Sequence, residues 1–340
     1  MLRLYLKPLL LLLLLAAAAR PGQAQEGAVL YAGLIKSKGY VVGSPLSASG
    51  LHRFEGDTTW THLGWNTPRI VGITYDPRNP DILFLASGNG CLRTMDGGAS
   101  WRLTTDWRIT ETQDVSVDPN RPDHVYLATA YGVWRTTDQG ETWAEASHGI
   151  PSPSSTYTDA IKVDRTQAGR VLAGTWGGLY LTTDGAQSWT PVGPRDVPIH
   201  DLHQSPTNPS VWIAGTLDKG VLLSDDGGLT WRFARGRIAE QSIYGVAIDP
   251  LEARHMAAVG WDTGVYVTTN GGASWKRHTR GLPSPHFYEV IFDANIPGRI
   301  QAATVEEGLY LSDDDGRTWQ SAGLYGTMIF DLIFINRGAP

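Results

Sequence analysis

An eight-residue box ending in tryptophan recurs six times along this chain, and the recurrence is nearly periodic. The copies span 94–101, 136–143, 182–189, 224–231, 268–275 and 312–319, and a degenerate seventh at 53–60 precedes them. Their tryptophans, Trp60, Trp101, Trp143, Trp189, Trp231, Trp275 and Trp319, follow one another at intervals of 41, 42, 46, 42, 44 and 44 residues. A repeat of this length is one supersecondary unit that cannot bury its apolar face alone, so the copies must pack on one another. Between boxes lie short β-type runs. In the first full unit these are Ile70–Asp76, Ile82–Ala86 and Cys91–Thr94, punctuated by Asp76-Pro77, Asn79-Pro80 and Gly88. Such runs and breaks predict a four-stranded antiparallel meander, with strands A to D counted outward and the box in the C–D turn.

Equivalent units run through about 112–143, 158–189, 199–231, 243–275 and 287–319. Two fragments remain. The N-terminal one supplies B-like Val29–Gly33, C-like Leu51–Phe54 and the degenerate box, and the C-terminal one, Ile329–Ile335, reads as a lone A strand. Joined, they make a seventh unit and leave no open edge. The expectation is an all-β, seven-bladed β-propeller closed by its C-terminal strand.

Residues 1–24 read as a secretory signal. Arg3 and Lys7 precede an apolar stretch from Leu9 to Ala19, and Gly22-Gln23-Ala24 is a small-residue cleavage site. This predicts a secreted or periplasmic protein whose residues 25–340 form one propeller domain, with no membrane span after cleavage. The formal charge of −6 becomes −9 once Arg3, Lys7 and Arg20 leave, which argues against a nucleic-acid partner. The lone Cys91 lies in an apolar run and reads as a buried, inert thiol.

The boxes read as structural. Asp96, Asp138, Asp184, Asp226, Asn270 and Asp314 stand where a side chain must accept backbone amides. Trp101, Trp143, Trp189, Trp231, Trp275 and Trp319 supply apolar plates between blades. Asp313-Asp314-Asp315-Gly316 lacks the later glutamate of a calcium loop, so no metal is expected there.

The pattern Ser/Thr-x-Asp-x-Gly-x-Ser/Thr-Trp resembles the Asp-box, or bacterial neuraminidase repeat. Proteins that share it include sialidases, xyloglucan-type glycoside hydrolases, sortilin-type receptors and photosystem II stability and assembly factors. The seven-unit count and the Asp-Pro turn after strand A look most like the assembly-factor type. That resemblance implies that the boxes lie on the face opposite the binding face. Ala186 in place of a box glycine, Asn270 in place of aspartate and the degenerate first box depart from the pattern.

If the boxes share one face, the B–C and D–A loops share the other. Ligand-binding candidates there are Trp65, Trp107, Tyr131, Trp176, Tyr244, Trp261, His286 and Tyr288, joined by Tyr325. A second set lies in the A strands. Counting back four residues from the strand-ending aspartate gives Gly72, Asp114, Ala160, Asp201, Gly245, Glu289 and Asp331, which places four carboxylates at the channel mouth. Gln113, Asp159, His200, Tyr244 and Tyr288 neighbour them. His200 and His203, an odd number apart on a strand, are expected on opposite faces, which speaks against a shared metal.

Two functions follow. One is a non-catalytic platform, without a cofactor, that binds a protein or glycan as a monomer through its aromatic and acidic face. The other is a glycoside hydrolase, which needs a carboxylate pair such as two of Asp114, Asp201, Glu289 and Asp331. Sialidases resemble six-bladed rings with an Arg-Ile-Pro signature, whereas Arg69-Ile70 is followed here by Val71. Xyloglucan-type enzymes pair two rings, and this sequence predicts one. These departures favour the platform, with no cofactor and no metal.

Overall fold

A computed structural model of the protein describes residues 27–38, 49–64, 66, 69–151 and 156–337. Seven four-stranded antiparallel sheets form a ring. The A strands of blades 2 to 7 are Gly72–Asp76, Thr112–Val117, Thr158–Val163, Ile199–Gln204, Ile243–Ile248 and Phe287–Phe292. Blade 1 is composite: A is Thr327–Asn336 from the C-terminal end, and B, C and D are Ala28–Lys36, Gly50–Gly56 and Thr59–Leu63. Each A strand touches the A strands of both neighbouring blades, in an unbroken cycle. The strand-for-strand reading of the sequence therefore holds, including the closure. The signal segment 1–24, residues 39–48 and Trp65 lie outside the described residues.

Closure is the longest pairing in the molecule. Ala28 to Lys36 pairs with Asn336 to Thr327 across nine register positions, whereas the A–B pair of blade 3 has five. Asn295 of blade 7 adds a side-chain clasp, donating to the Ala28 carbonyl at 2.7 Å and accepting its amide at 3.2 Å.

The core is divided as the repeat predicts. Seven apolar clusters form among the described residues, one at each junction between consecutive blades. That between blades 3 and 4 joins Tyr126 and Val133 to Ile161, Val171 and Trp189. A blade thus buries both faces only when it has two neighbours, which is why the ring must close.

The boxes repeat one hydrogen-bond scheme. In blade 3 the Thr136 hydroxyl donates to Asp138 Oδ1 at 2.6 Å and accepts the Gly140 amide at 2.9 Å. Asp138 Oδ1 accepts the Thr142 amide at 2.9 Å, and Oδ2 accepts its hydroxyl at 2.6 Å. Asn270 keeps the scheme with one bond reversed, donating from Nδ2 to Ser274 Oγ at 2.9 Å. In the degenerate copy the loop shrinks to a tight turn with Asp57 at φ 52°. Asp313 pairs with Arg299 at 2.6 Å, so the acidic run at 313–315 is spent on turn and surface contacts. Cys91 is fully buried, and burial pushes its thiol up to about 12.

Candidate functional site

The site is built by a fault that six of the seven blades share. In the A strands of blades 3 to 7 the register with strand B slips between Thr112 and Asp114, Thr158 and Ala160, Ile199 and Asp201, Ile243 and Gly245, and Phe287 and Glu289. Blade 1 slips likewise, with Phe330 as the extra residue between Ile329 and Asp331. Each slip is a β-bulge, which inserts an unpaired residue and breaks the period-two alternation. The extra residues are Gln113, Asp159, His200, Tyr244, Tyr288 and Phe330, and Val71 stands at the same offset in blade 2.

All seven line one cavity of about 370 Å³ at the axial mouth, together with Arg69, Lys162, His203, Trp261 and the four candidate carboxylates. Their rings form a collar. His200 meets the Tyr244 edge at 5.1 Å, Tyr244 stacks on Tyr288 at 5.9 Å, and Tyr288 meets Phe330 at 5.3 Å. The Arg69 guanidinium then lies 5.2 Å over Phe330. On the other side Asp159 Oδ2 lies 3.0 Å from His200 Nδ1 and accepts the Trp176 indole N–H at 3.2 Å. Trp176 in turn packs on Tyr157 at 4.8 Å.

The bulge corrects one expectation. His200 and His203 do not part to opposite faces: both line the cavity, because the extra residue resets the alternation between them. They still form no metal cluster, since no three His, Cys, Asp or Glu side chains among the described residues could hold a metal ion.

Beneath the collar, the carboxylates answer a problem of the inner edge. An A strand has no sheet partner toward the axis, so its inward amides need acceptors. Asp114 takes the Val115 amide at 2.8 Å, the Ile161 amide of the next blade at 2.9 Å, and Lys162 Nζ at 2.6 Å. Asp201 takes Leu202 at 2.7 Å and, across the next junction, Val246 at 2.8 Å, with His203 Nε2 at 3.3 Å. Asp331 takes Ile73 of blade 2 at 2.5 Å, and Glu289 takes Val290 at 2.8 Å.

Their ionisation diverges. Burial pushes Asp331 up to about 7, and Asp114 and Asp201 add to this against the opposing pull of Lys162. Burial likewise lifts Glu289 well above its ordinary value, helped by Asp201 and Asp331. Asp114 is raised, again by burial, against Lys162. Asp201 is desolvated too, yet His203 and Lys162 hold it below its ordinary value. Burial thus outweighs mutual crowding as the cause.

The remaining candidates do not join the collar. Trp261 and His286 stack at 4.2 Å, and His286 Nδ1 accepts the Asp262 amide at 3.1 Å. Tyr131 donates to Glu111 Oε1 at 2.7 Å. Trp107 is 85% exposed, and Tyr325 lies beneath Lys38 Nζ at 4.7 Å. Trp212 is fully buried in the core. Three residues of the mouth escape the sequence reading: Lys162, Phe330 and Arg69. A lysine amid the apolar run Ala160-Ile161-Lys162-Val163 was the one available signal.

No family model and no curated protein matches this chain. Solved structures do. A GH74 enzyme from Niastella koreensis superposes with a TM-score of 0.71 at 18% identity, over 90% of this chain and 56% of that one. The GH74 xyloglucanase from Xanthomonas campestris gives 0.70 at 17% identity, over 90% and 55%. YCF48 bound to D1 peptide gives 0.59 at 18% identity, over 74% and 81%. The chain spans about half the length of the GH74 enzymes it matches. It is a seven-bladed β-propeller whose structural neighbours include both glycoside hydrolases and a peptide-bound protein.

Proposed function

We propose that the protein is a secreted or periplasmic, non-catalytic propeller that binds a protein or glycan at the axial mouth. The observation that carries this is the collar: the bulges of blades 5, 6, 7 and 1 present an unbroken run of rings from His200 through Tyr244 and Tyr288 to Phe330. Ring faces over a cavity of about 370 Å³ suit a sugar or a peptide side chain, since they offer apolar area at little entropic cost. The carboxylates below support binding rather than turnover, because Asp114 and Asp201 spend both oxygens on inner-edge amides.

Glycoside hydrolysis is the second reading, and one observation favours it. Burial raises Glu289 well above its ordinary value while His203 and Lys162 hold Asp201 below its own, a divergence in the sense that an acid and its partner carboxylate require. A screen of soluble glycans, chromogenic glycosides and envelope-protein peptides separates the two. Binding without turnover, weakened by Tyr244→Ala/Tyr288→Ala, is the expected result. Turnover abolished by Glu289→Gln would replace the platform with an enzyme.

A further inference from the structure

The mouth is lopsided in charge. On blades 3 and 4 the cavity already holds its cation: Lys162 Nζ sits 2.6 Å from Asp114 Oδ2. On blade 5, Asp201 has His203 at 3.3 Å. Blades 7 and 1 have no such partner. Glu289 and Asp331 make no ion pair among the described residues, and each accepts a single backbone amide, from Val290 and from Ile73. Glu289 is nevertheless only 8% exposed, and both carboxyls line the cavity.

Each of these two acids directly follows an aromatic bulge residue, in the pairs Tyr288-Glu289 and Phe330-Asp331. Because the bulge cancels the usual alternation, ring and acid enter the same cavity from adjacent blades. Two rings above two under-bonded carboxyls offer what a cation on an apolar stem needs: π faces for the stem and head, and acceptors for its N–H groups. The Phe330 face already seats a cation, the Arg69 guanidinium at 5.2 Å. A bare metal ion fits poorly, since no three acidic or imidazole groups among the described residues converge on one point.

We propose that the blade 7 and blade 1 side of the mouth binds a primary alkylammonium group, its stem against Tyr288 and Phe330 and its head on Glu289 and Asp331. The inference rests on the reading of the mouth as the binding site and names what that site takes. A lysine side chain on a partner protein and a free polyamine share this chemistry.

The acids' ionisation supplies an independent readout. Asp331 faces Lys162, Asp114 and Asp201, and Glu289 faces Asp201, Asp331 and Lys162, while His203 pairs with Asp201. Asp159, His200, Arg69, Tyr244 and Tyr288 complete the charged or titratable groups lining the cavity. With burial holding Asp331 up to about 7, an ammonium arriving below that pH displaces a proton.

The test is calorimetry on the full chain with Nα-acetyl-lysine methylamide and with spermidine, against Nα-acetyl-norleucine methylamide as the uncharged control. Binding of the ammonium ligands alone is expected, about tenfold tighter at pH 8 than at pH 6, with proton release measured in buffers of different ionisation enthalpy. Glu289→Gln should weaken it by about tenfold or more. Asp331→Asn serves if that variant does not fold, and should also remove most of the pH dependence. The stronger of the two ligands identifies the source. Equal binding of the norleucine control, or affinity unchanged in both carboxyl variants, would overturn the assignment. A partner that needs Tyr244 and Tyr288 yet ignores Glu289 and Asp331 would overturn it while sparing the platform; a partner indifferent to the collar would remove the platform itself.

Discussion

The two faces of the ring obey opposite rules. On the box face the same side chains make the same bonds in blade after blade, Thr94 and Asp96 repeating what Thr136 and Asp138 do. At the mouth the backbone repeats, one bulge in each of six blades, while the side chain it presents varies: Gln113, Asp159, His200, Tyr244, Tyr288, Phe330. Repetition of side chains marks what the fold requires of every copy. Repetition of backbone with varied side chains marks a place where the fold offers a position and leaves its chemistry free.

The sharpest way to break this contrast is at its one shared point, the inner-edge carboxylates, which serve the fold from within the mouth. Lys162→Met leaves Asp114 without its cation in a buried setting and should destabilise the protein by about 3 kcal/mol, read by denaturant unfolding. A result near zero would mean that the pair is exchangeable and the mouth purely functional.

Next comes a box change. Thr136→Val keeps the shape but strands the buried Gly140 amide, which the hydroxyl accepts at 2.9 Å. A loss of about 2 kcal/mol is expected, with ligand binding untouched.

The third prediction concerns pH. A buried carboxyl raised in the folded state binds its proton more tightly there than in the unfolded chain, so its contribution falls as pH rises between the two values. For Asp331, at about 7 folded, stability should decline from about pH 4 to 7 at up to about 1.4 kcal/mol per pH unit. Asp331→Asn should flatten that slope, and equal slopes in both proteins would contradict the assignment. The box acids work in the other direction: hydrogen bonds from Ser100 hold Asp96 at about 2, so their support is lost only as pH falls below about 4.

The smallest effect belongs to the turn itself. Gln139 holds φ 58° where other boxes place glycine, as at Gly97 with φ 69°. Gln139→Gly should raise stability by at most about 1 kcal/mol, read as a small rise in melting temperature.

The ring was legible because its signals are local and repeated. Box spacing, Asp-Pro turns and the lone strand Ile329–Ile335 gave the blade count and the closure without any long-range information. The mouth was half legible. Offsets along strand A identified Asp114, Asp201, Glu289 and Asp331, but nothing in the sequence announces a bulge, so His200 and His203 were assigned opposite faces. Lys162 was missed for a related reason: its partner Asp114 lies 48 residues away, on another blade. Arg69 and Phe330 meet only because the C-terminal strand completes blade 1, beside the blade 2 strand that Arg69 leads into.

The most direct measurement sets the faces against each other. Whatever ligand the screen yields would be titrated against Tyr244→Ala/Tyr288→Ala and against Thr136→Val, with unfolding curves for both. The account predicts that the collar variant loses at least tenfold in affinity with its stability little changed, and that the box variant loses stability with its affinity intact. Affinity that follows the box and ignores the collar would contradict it.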